Sequence, residues 1–311
     1  MKIHRDLKDY SVEKAILTQG TFDGVHIGHK EIISRVIAMA KEAGGESVLL
    51  TFHPHPRHIL FPDQEGPLML STLKEKISKL EEIGLDHLII HPFTHEFSRL
   101  SAVQFVRDLL VNIIKATKIV VGYDHHFARN REGNLETLQD LSPLYDLEIE
   151  EISAQEINDV NISSTKIRKA LVEGDLETAN KYLGYCYGLD GVVVEGKKLG
   201  RTLGFPTANI GNFEKWKLIP KDGVYAVKVF LDGEVHSGMM SIGFNPTVNK
   251  ELETRSLEVH ILDFNRDIYG NEIRIEFVSR IRGEEKFKDL EALKTKMADD
   301  MAKTIHILEK A

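Results

Sequence analysis

This sequence has one cysteine, Cys186, in 311 residues. No intramolecular disulfide is possible, and a reducing cytoplasm is the expected compartment. No apolar run approaches the ~20 residues needed to span a bilayer. The start, Met1-Lys2-Ile3-His4-Arg5-Asp6, lacks an apolar signal core, so neither export nor a membrane partner is expected. Basic charge is scarce: 40 Lys and Arg against 48 Asp and Glu leave a net charge of −8. That argues against general nucleic-acid binding, so any phosphate ligand must be held by a local site and not by a basic field. Repeats, low-complexity tracts and long flexible linkers are absent too. The remainder is ordinary globular sequence, 42% hydrophobic and 28% charged, and the length suits about two domains. The expected partners are small molecules, with the chain a monomer or a weak homo-oligomer.

Two halves differ in period. Up to Gly184, apolar strands alternate with amphipathic helices. Residues 15–19, 47–52, 87–90, 118–121 and 147–150 read as strands, and 72–83, 103–114, 135–145, 163–172 and 175–183 as helices. Continuous apolar strands between helices predict a parallel sheet covered on both faces, with ligands beyond the carboxyl ends of its strands. Beyond Tyr185, residues 223–230, 257–261 and 273–277 read as short strands, and Asp232-Gly233 is a hairpin signal. A closing helix carries Phe287, Leu290, Leu293, Met297, Met301, Ile305 and Leu308 as one stripe. The expected architecture is α/β: a doubly wound, Rossmann-like domain over 1–184, then a small antiparallel β-barrel with a closing α-helix over 185–311.

The segment Gly20-Thr21-Phe22-Asp23-Gly24-Val25-His26-Ile27-Gly28-His29 joins a strand, a glycine turn and a helix start. Unpaired backbone N–H groups and the helix dipole favour an anion there, and Gly24 and Gly28 admit close approach of a phosphate. His26 and His29, three residues apart, also suit a metal or plain helix capping. Pro54, His55 and Pro56 stiffen the loop after the second strand. Asp124 is placed to hold a ribose or amine, or to cap a turn. Ser163, Ser164 and Thr165 put hydroxyls at a helix start with Arg168 soon after, which suits phosphate or simple capping.

In the second half, a glycine-bounded basic loop ending at Gly200 precedes Gly204-Phe205-Pro206-Thr207-Ala208-Asn209. If extended, Thr207 and Asn209 face one way, and two neutral oxygens can complete a Mg²⁺ shell otherwise made of phosphate and water. On 257–261 the apolar residues take one face, leaving Glu258 on the other. It is either a positioned base or a solvent-facing glutamate.

Together, in this order, these segments resemble the prokaryotic bifunctional riboflavin kinase/FMN adenylyltransferase family, also called FAD synthetase, from about Glu13 to Ile305. Gly20–His29, Thr51–Pro56, Gly122–Phe127 and Ile162–Arg168 resemble its adenylyltransferase (nucleotidyltransferase) motifs. Leu203–Asn209, Gly223–Ala226, Ile242–Thr247 and Glu258–Phe264 resemble its kinase motifs. The resemblance implies ATP, riboflavin, FMN and FAD as substrates and products, with Mg²⁺. Glu258 matches the kinase base, and Thr207 and Asn209 the magnesium and phosphate ligands beside Gly200, Gly204 and Pro206. His26 and His29 match the adenylyl-transfer pair. Gly20, Thr21, Phe22, Gly24, Gly28, Asp124, Ser163, Ser164, Thr165 and Arg168 match its nucleotide contacts. Pro54, His55, Pro56, Phe127 and Arg282 match flavin contacts. The pattern departs at His125, usually aromatic, and at Ala128, usually glycine. Two departures in one loop lead us to expect a reshaped loop with Ala128 at ordinary negative φ. The competing readings are a single-activity nucleotidyltransferase with an accessory barrel and a non-catalytic flavin-binding regulator. Clustering of Thr207, Asn209 and Glu258 tests the first.

Overall fold

The first six strands are β1 (Lys2–His4), β2 (Ala15–Gln19), β3 (Glu46–His53), β4 (His87–Pro92), β5 (Ala116–Gly122) and β6 (Glu148–Ile152). In the computed structural model they form one sheet in the order β1-β4-β3-β2-β5-β6, with every pairing parallel. The structure describes residues 1–63, 66–122, 126–152, 162–196, 204–244 and 255–311; Asp124 and Gly200 lie outside them.

Alternation along the buried strands divides the core between two faces. Leu17, Val48, Leu50, Ile119 and Val121 pack on one side with Phe105, Leu109 and Leu138. Leu49 and Leu88 point to the other side, joined by Ile33 and Leu80, and Ile16 and Val120 join Val36 and Ala40 there. The helices supplying these residues are α1 (Ile27–Ala43), α3 (Leu73–Ile83), α4 (Ala102–Gln104, continuing as a π-helix over Phe105–Ile113) and α5 (Leu135–Tyr145), while the short α2 (Pro56–Leu60) buries no residue. α3 starts with a reciprocal cap: Glu75 N–H donates to Thr72 Oγ1 at 3.1 Å and Thr72 N–H to Glu75 Oε2 at 2.8 Å. The strand order reverses around β2, so its carboxyl end lies at the point where such sheets bind ligands.

The later strands are β7 (Tyr187–Val194), β8 (Ala208–Gly211), β9 (Gly223–Leu231), β10 (Glu234–Phe244), β11 (Arg255–Ile261) and β12 (Glu272–Arg282). They close into a barrel in the order β10-β11-β8-β7-β12-β9. Asp232 and Gly233 join β9 to β10 with φ of 51° and 81°, the left-handed pair that a tight hairpin of this hand requires.

The last helix keeps most of the apolar stripe on its covered side, with Leu293, Met297, Met301 and Leu308 half-buried. In the structure Leu290 is 68% and Ile305 41% exposed, while Asp300 and Thr304 are buried. On that same covered side Arg282 on β12 donates through Nε to Asp300 Oδ2 at 2.7 Å, and Thr304 Oγ1 donates to the Asp300 carbonyl one turn back on the helix at 2.9 Å.

The chain divides into two compact units, Met1–Ser164 and Thr165–Ala311. The helices α6 (Ser164–Glu173) and α7 (Leu176–Leu183) stand before the boundary expected at 184/185, yet they bond to the barrel. Asn180 Nδ2 donates to the Phe277 carbonyl at 2.9 Å and Asn180 Oδ1 accepts from Tyr187 N–H at 2.8 Å. Lys221 N–H donates to the Leu171 carbonyl at 3.0 Å. The last helix is therefore α8 (Leu290–Leu308). A fragment beginning at Thr165 should be more stable than one beginning at Tyr185 by about 2–5 kcal/mol, the cost of unpacking buried leucines such as Leu176 and Leu183. Urea unfolding of the two fragments measures the difference, and equal midpoints would show that the two helices add nothing.

Candidate active sites

β2 leaves the sheet through a strained turn. Phe22 and Val25 hold positive φ, 45° and 38°, a conformation that a β-branched residue adopts only when its surroundings impose it. The buried Asp23 carboxylate imposes it. Its oxygens accept from Leu70 N–H at 2.9 Å, Ser71 N–H at 3.1 Å and Ser71 Oγ at 3.3 Å. Gly24 N–H donates to Ser71 Oγ at 3.0 Å, so this amide is already engaged within the fold. Ser164 Oγ donates to the Asp23 carbonyl at 3.0 Å.

The turn delivers His26 as the cap of α1. Its Nδ1 accepts from His29 N–H at 3.3 Å, so the neutral ring carries its proton on Nε2. The two imidazoles stack with centroids 3.5 Å apart and planes at 16°, and the Phe22 ring lies 4.7 Å from His29. Burial pulls His29 well below the ordinary histidine value of 6.5, reinforced by positive charge at His26 and Lys76. Its Nδ1 is buried without a hydrogen-bond partner.

These rings border a cavity of about 1530 Å³ at the carboxyl ends of the strands, larger than the ~300–1,000 Å³ typical of one drug-sized ligand. Gly20, Thr21, Phe22, Gly28, Ser163 and Ser164 line it, as do His55, Pro56 and Phe127. Pro54 does not appear on its wall. Thr165 and Arg168 follow on α6, within the second unit.

The sequence reading missed two groups on this wall. Arg57, Arg99, Arg129 and Arg131 line it, giving an acidic chain a local basic surface. Phe52, Phe97 and Phe105 join Phe127 in an aromatic file, with successive centroids 5.5, 5.9 and 5.4 Å apart. Each lies in a different segment of the chain, Phe127 in a loop, so no single window of sequence shows them together.

In the barrel, Glu258 on β11 is the cross-strand partner of Asn209 on β8. Thr207, just before β8, donates through Oγ1 to Glu258 Oε2 at 3.0 Å. The three residues therefore cluster. Their segment is held from both sides: His260 Nδ1 contacts the Pro206 carbonyl at 2.7 Å, and a Cβ on Gly196 would lie 2.0 Å from Asn209 Nδ2. Gly204 has φ of +87° with open space where a side chain would stand. Arg282, expected as a flavin contact, donates to the Gly283 carbonyl at 2.9 Å besides Asp300, and lies 5.6 Å from the Phe287 ring.

Comparison with known proteins agrees over both units. A family model described as FAD synthetase matches residues 8–166, and one described as riboflavin kinase matches 183–308. Bifunctional riboflavin kinase/FMN adenylyltransferase from Bacillus subtilis is 37% identical over 94% of this chain and 92% of its own length. The protein of the same description from Listeria monocytogenes is 41% identical over 92% and 90%. The chain belongs to the bifunctional riboflavin kinase/FMN adenylyltransferase family. A solved structure described as a macrolide-efflux protein from Streptococcus pneumoniae matches 97% of this chain and 98% of its own, with 31% identity and a TM-score of 0.85. Efflux is said of that protein alone; among the described residues here, no helix is long and apolar enough to cross a membrane.

Within this family framework the loop at Ala128 needs correction. Ala128 has φ of 61° and ψ of −173°, not the expected negative φ, in a region that only glycine occupies without strain. The backbone at this position is of the kind glycine favours. Paired backbone bonds between Phe127 and Gly133, both 3.0 Å, close the neck of the loop and leave Ala128 no ordinary conformation. Ala128→Gly should therefore stabilise the protein by about 1 kcal/mol, read by thermal unfolding; a destabilised variant would contradict the positive φ.

Stability should also depend on acid in a defined direction. His4, His29, His53 and His91 are all held below 6.5, chiefly by burial. Between their folded values and 6.5 the unfolded chain binds more protons, so stability is complete above 6.5 and falls as pH drops below it. Urea midpoints measured at successive pH values should show this decline, with a shallower slope in His29→Asn.

Proposed function

We propose that this protein makes FAD from riboflavin in two steps, with riboflavin phosphorylation in the barrel and adenylyl transfer at the His26–His29 turn. The observation that carries the reading is the Thr207–Asn209–Glu258 cluster, which gives the barrel chemistry of its own. An accessory barrel has no need of a carboxylate held against a threonine hydroxyl, and a flavin sensor needs affinity but no base.

In the kinase step the riboflavin 5′-hydroxyl attacks the γ-phosphorus of ATP. The bond to the ADP oxygen breaks, FMN forms, and Glu258 takes the hydroxyl proton. Glu258 must first exchange its Thr207 partner for the substrate hydroxyl. The neutral oxygens of Thr207 and Asn209 suit Mg²⁺, and the Gly196 backbone against Asn209 keeps that amide in place. When bound, the ion supplies charge neutralisation at the transferring phosphate.

In the second step a phosphate oxygen of FMN attacks the α-phosphorus of another ATP, and pyrophosphate leaves. The proton on His26 Nε2 is available to the developing charge, and the arginine-lined cavity can accept the polyphosphate. The aromatic file offers a face for a flavin ring. We assign adenylyl transfer to the first unit and kinase activity to the second. The partners are small molecules, and the dependence on ATP fits a cytoplasmic enzyme.

Incubation with riboflavin, ATP and Mg²⁺, followed by chromatographic separation of FMN and FAD, tests the scheme. Glu258→Gln should lower FMN formation by about 10²- to 10⁴-fold while FAD still forms from supplied FMN. His29→Ala should do the reverse and accumulate FMN. If Glu258→Gln leaves riboflavin phosphorylation near normal, the barrel is accessory and the single-activity reading takes its place.

A further inference from the structure

Lys76 is a buried cation that the scheme above does not use. It sits on the inward face of α3 and is only 5% exposed. Its ammonium has three donors, and Nζ donates to the Thr21 carbonyl at 2.6 Å. Thr51 Oγ1 reaches the same carbonyl at 3.3 Å. Thr21 lines the cavity and precedes Phe22, the first strained residue of the turn.

Burying an ammonium against a neutral carbonyl is expensive, and an apolar side chain of the same length would pack there at less cost. The structure contributes some compensation through the Asp23 carboxylate, which raises the lysine's affinity for its proton while burial lowers it. That carboxylate is already engaged with Leu70 and Ser71. The charge also reaches outward: Lys76 acts on His29, which His26 also faces, and on His53, which Arg5 also faces. The positive field therefore falls on the histidine turn, from behind the cavity wall.

We propose that Lys76 is a positioning residue for adenylyl transfer: its ammonium, fixed on the Thr21 carbonyl behind the histidine turn, sets that turn and supplies a positive charge to the site of the ATP phosphates. A fixed cation in a water-poor wall acts most strongly where negative charge grows during reaction, on the departing pyrophosphate. It also disfavours protonation of His29, so that ring stays a neutral N–H donor.

The inference rests on the His26–His29 turn being the adenylyl-transfer site, and the test separates the two ideas. Lys76→Met and Lys76→Arg are made in the full chain. For each, kcat and KM for FAD formation from FMN and ATP are measured, and the His29 ring is titrated by NMR. Lys76→Met should lower kcat about tenfold or more with KM for FMN little changed. Its His29 titration should move up toward the ordinary value, and riboflavin phosphorylation should be unaffected. Lys76→Arg should recover the His29 titration and part of kcat. If Lys76→Met does not fold, Lys76→Gln makes the same neutral comparison. A neutral variant with kcat within twofold of the parent overturns the proposal. So does a loss of kcat with an unmoved His29 titration that Lys76→Arg fails to restore, because that pattern marks packing alone. If His29→Ala itself leaves FAD formation intact, the site assignment fails and not merely the role of Lys76.

Discussion

The first unit's chemistry depends on one buried carboxylate. Asp23 is 1% exposed, and it stays there because two backbone amides and a hydroxyl satisfy it. Those bonds hold Phe22 and Val25 in conformations they would otherwise leave, and the held turn sets where α1 begins. The beginning of α1 fixes His26 as a cap, and His26 as a cap fixes His29 against it. Without Asp23 the glycines on either side would make the segment a flexible hinge, and a stacked imidazole pair could not persist. The same bonds bring residues 70–71 alongside, so that α3 starts close by and carries Lys76 beneath Thr21.

Much of this architecture was legible from period alone. Strands such as 15–19 and 118–121 carry consecutive apolar residues because both sheet faces are covered, and their boundaries follow the glycines and polar residues that end them. Glu258 was legible for a related reason: strict alternation on β11 leaves it on the opposite face from Leu257, Val259 and Ile261. Register then did what period could not, pairing it with Asn209.

The parts that were not legible share a cause. Asp23 reads as a turn aspartate, because its partners lie 47 and 48 residues away. Lys76 reads as one of several lysines on an exposed helix, and nothing in its neighbours reveals burial. On α8 the sequence stripe gave no sign of Asp300, which lies on the same side as the half-buried Leu293, Met297 and Met301, because its partner Arg282 sits 18 residues away on another element. Ala128 misled for a different reason. A substitution away from glycine suggested that the backbone had relaxed, whereas the neck formed by Phe127 and Gly133 left it no room to do so.

Among the described residues the first sheet, unlike the barrel, has two open edges. β1 offers only three residues, from Lys2 to His4. β6 is longer and carries Glu148, Glu150 and Glu151, two of them engaged by Lys118 and Arg35. A second strand laid along that edge would have to desolvate a row of carboxylates and disrupt their ion pairs, and another copy of β6 would bring the same charges face to face. The acidic balance of the chain thus has a local use: it guards the hydrogen-bonding edge through which such sheets otherwise aggregate.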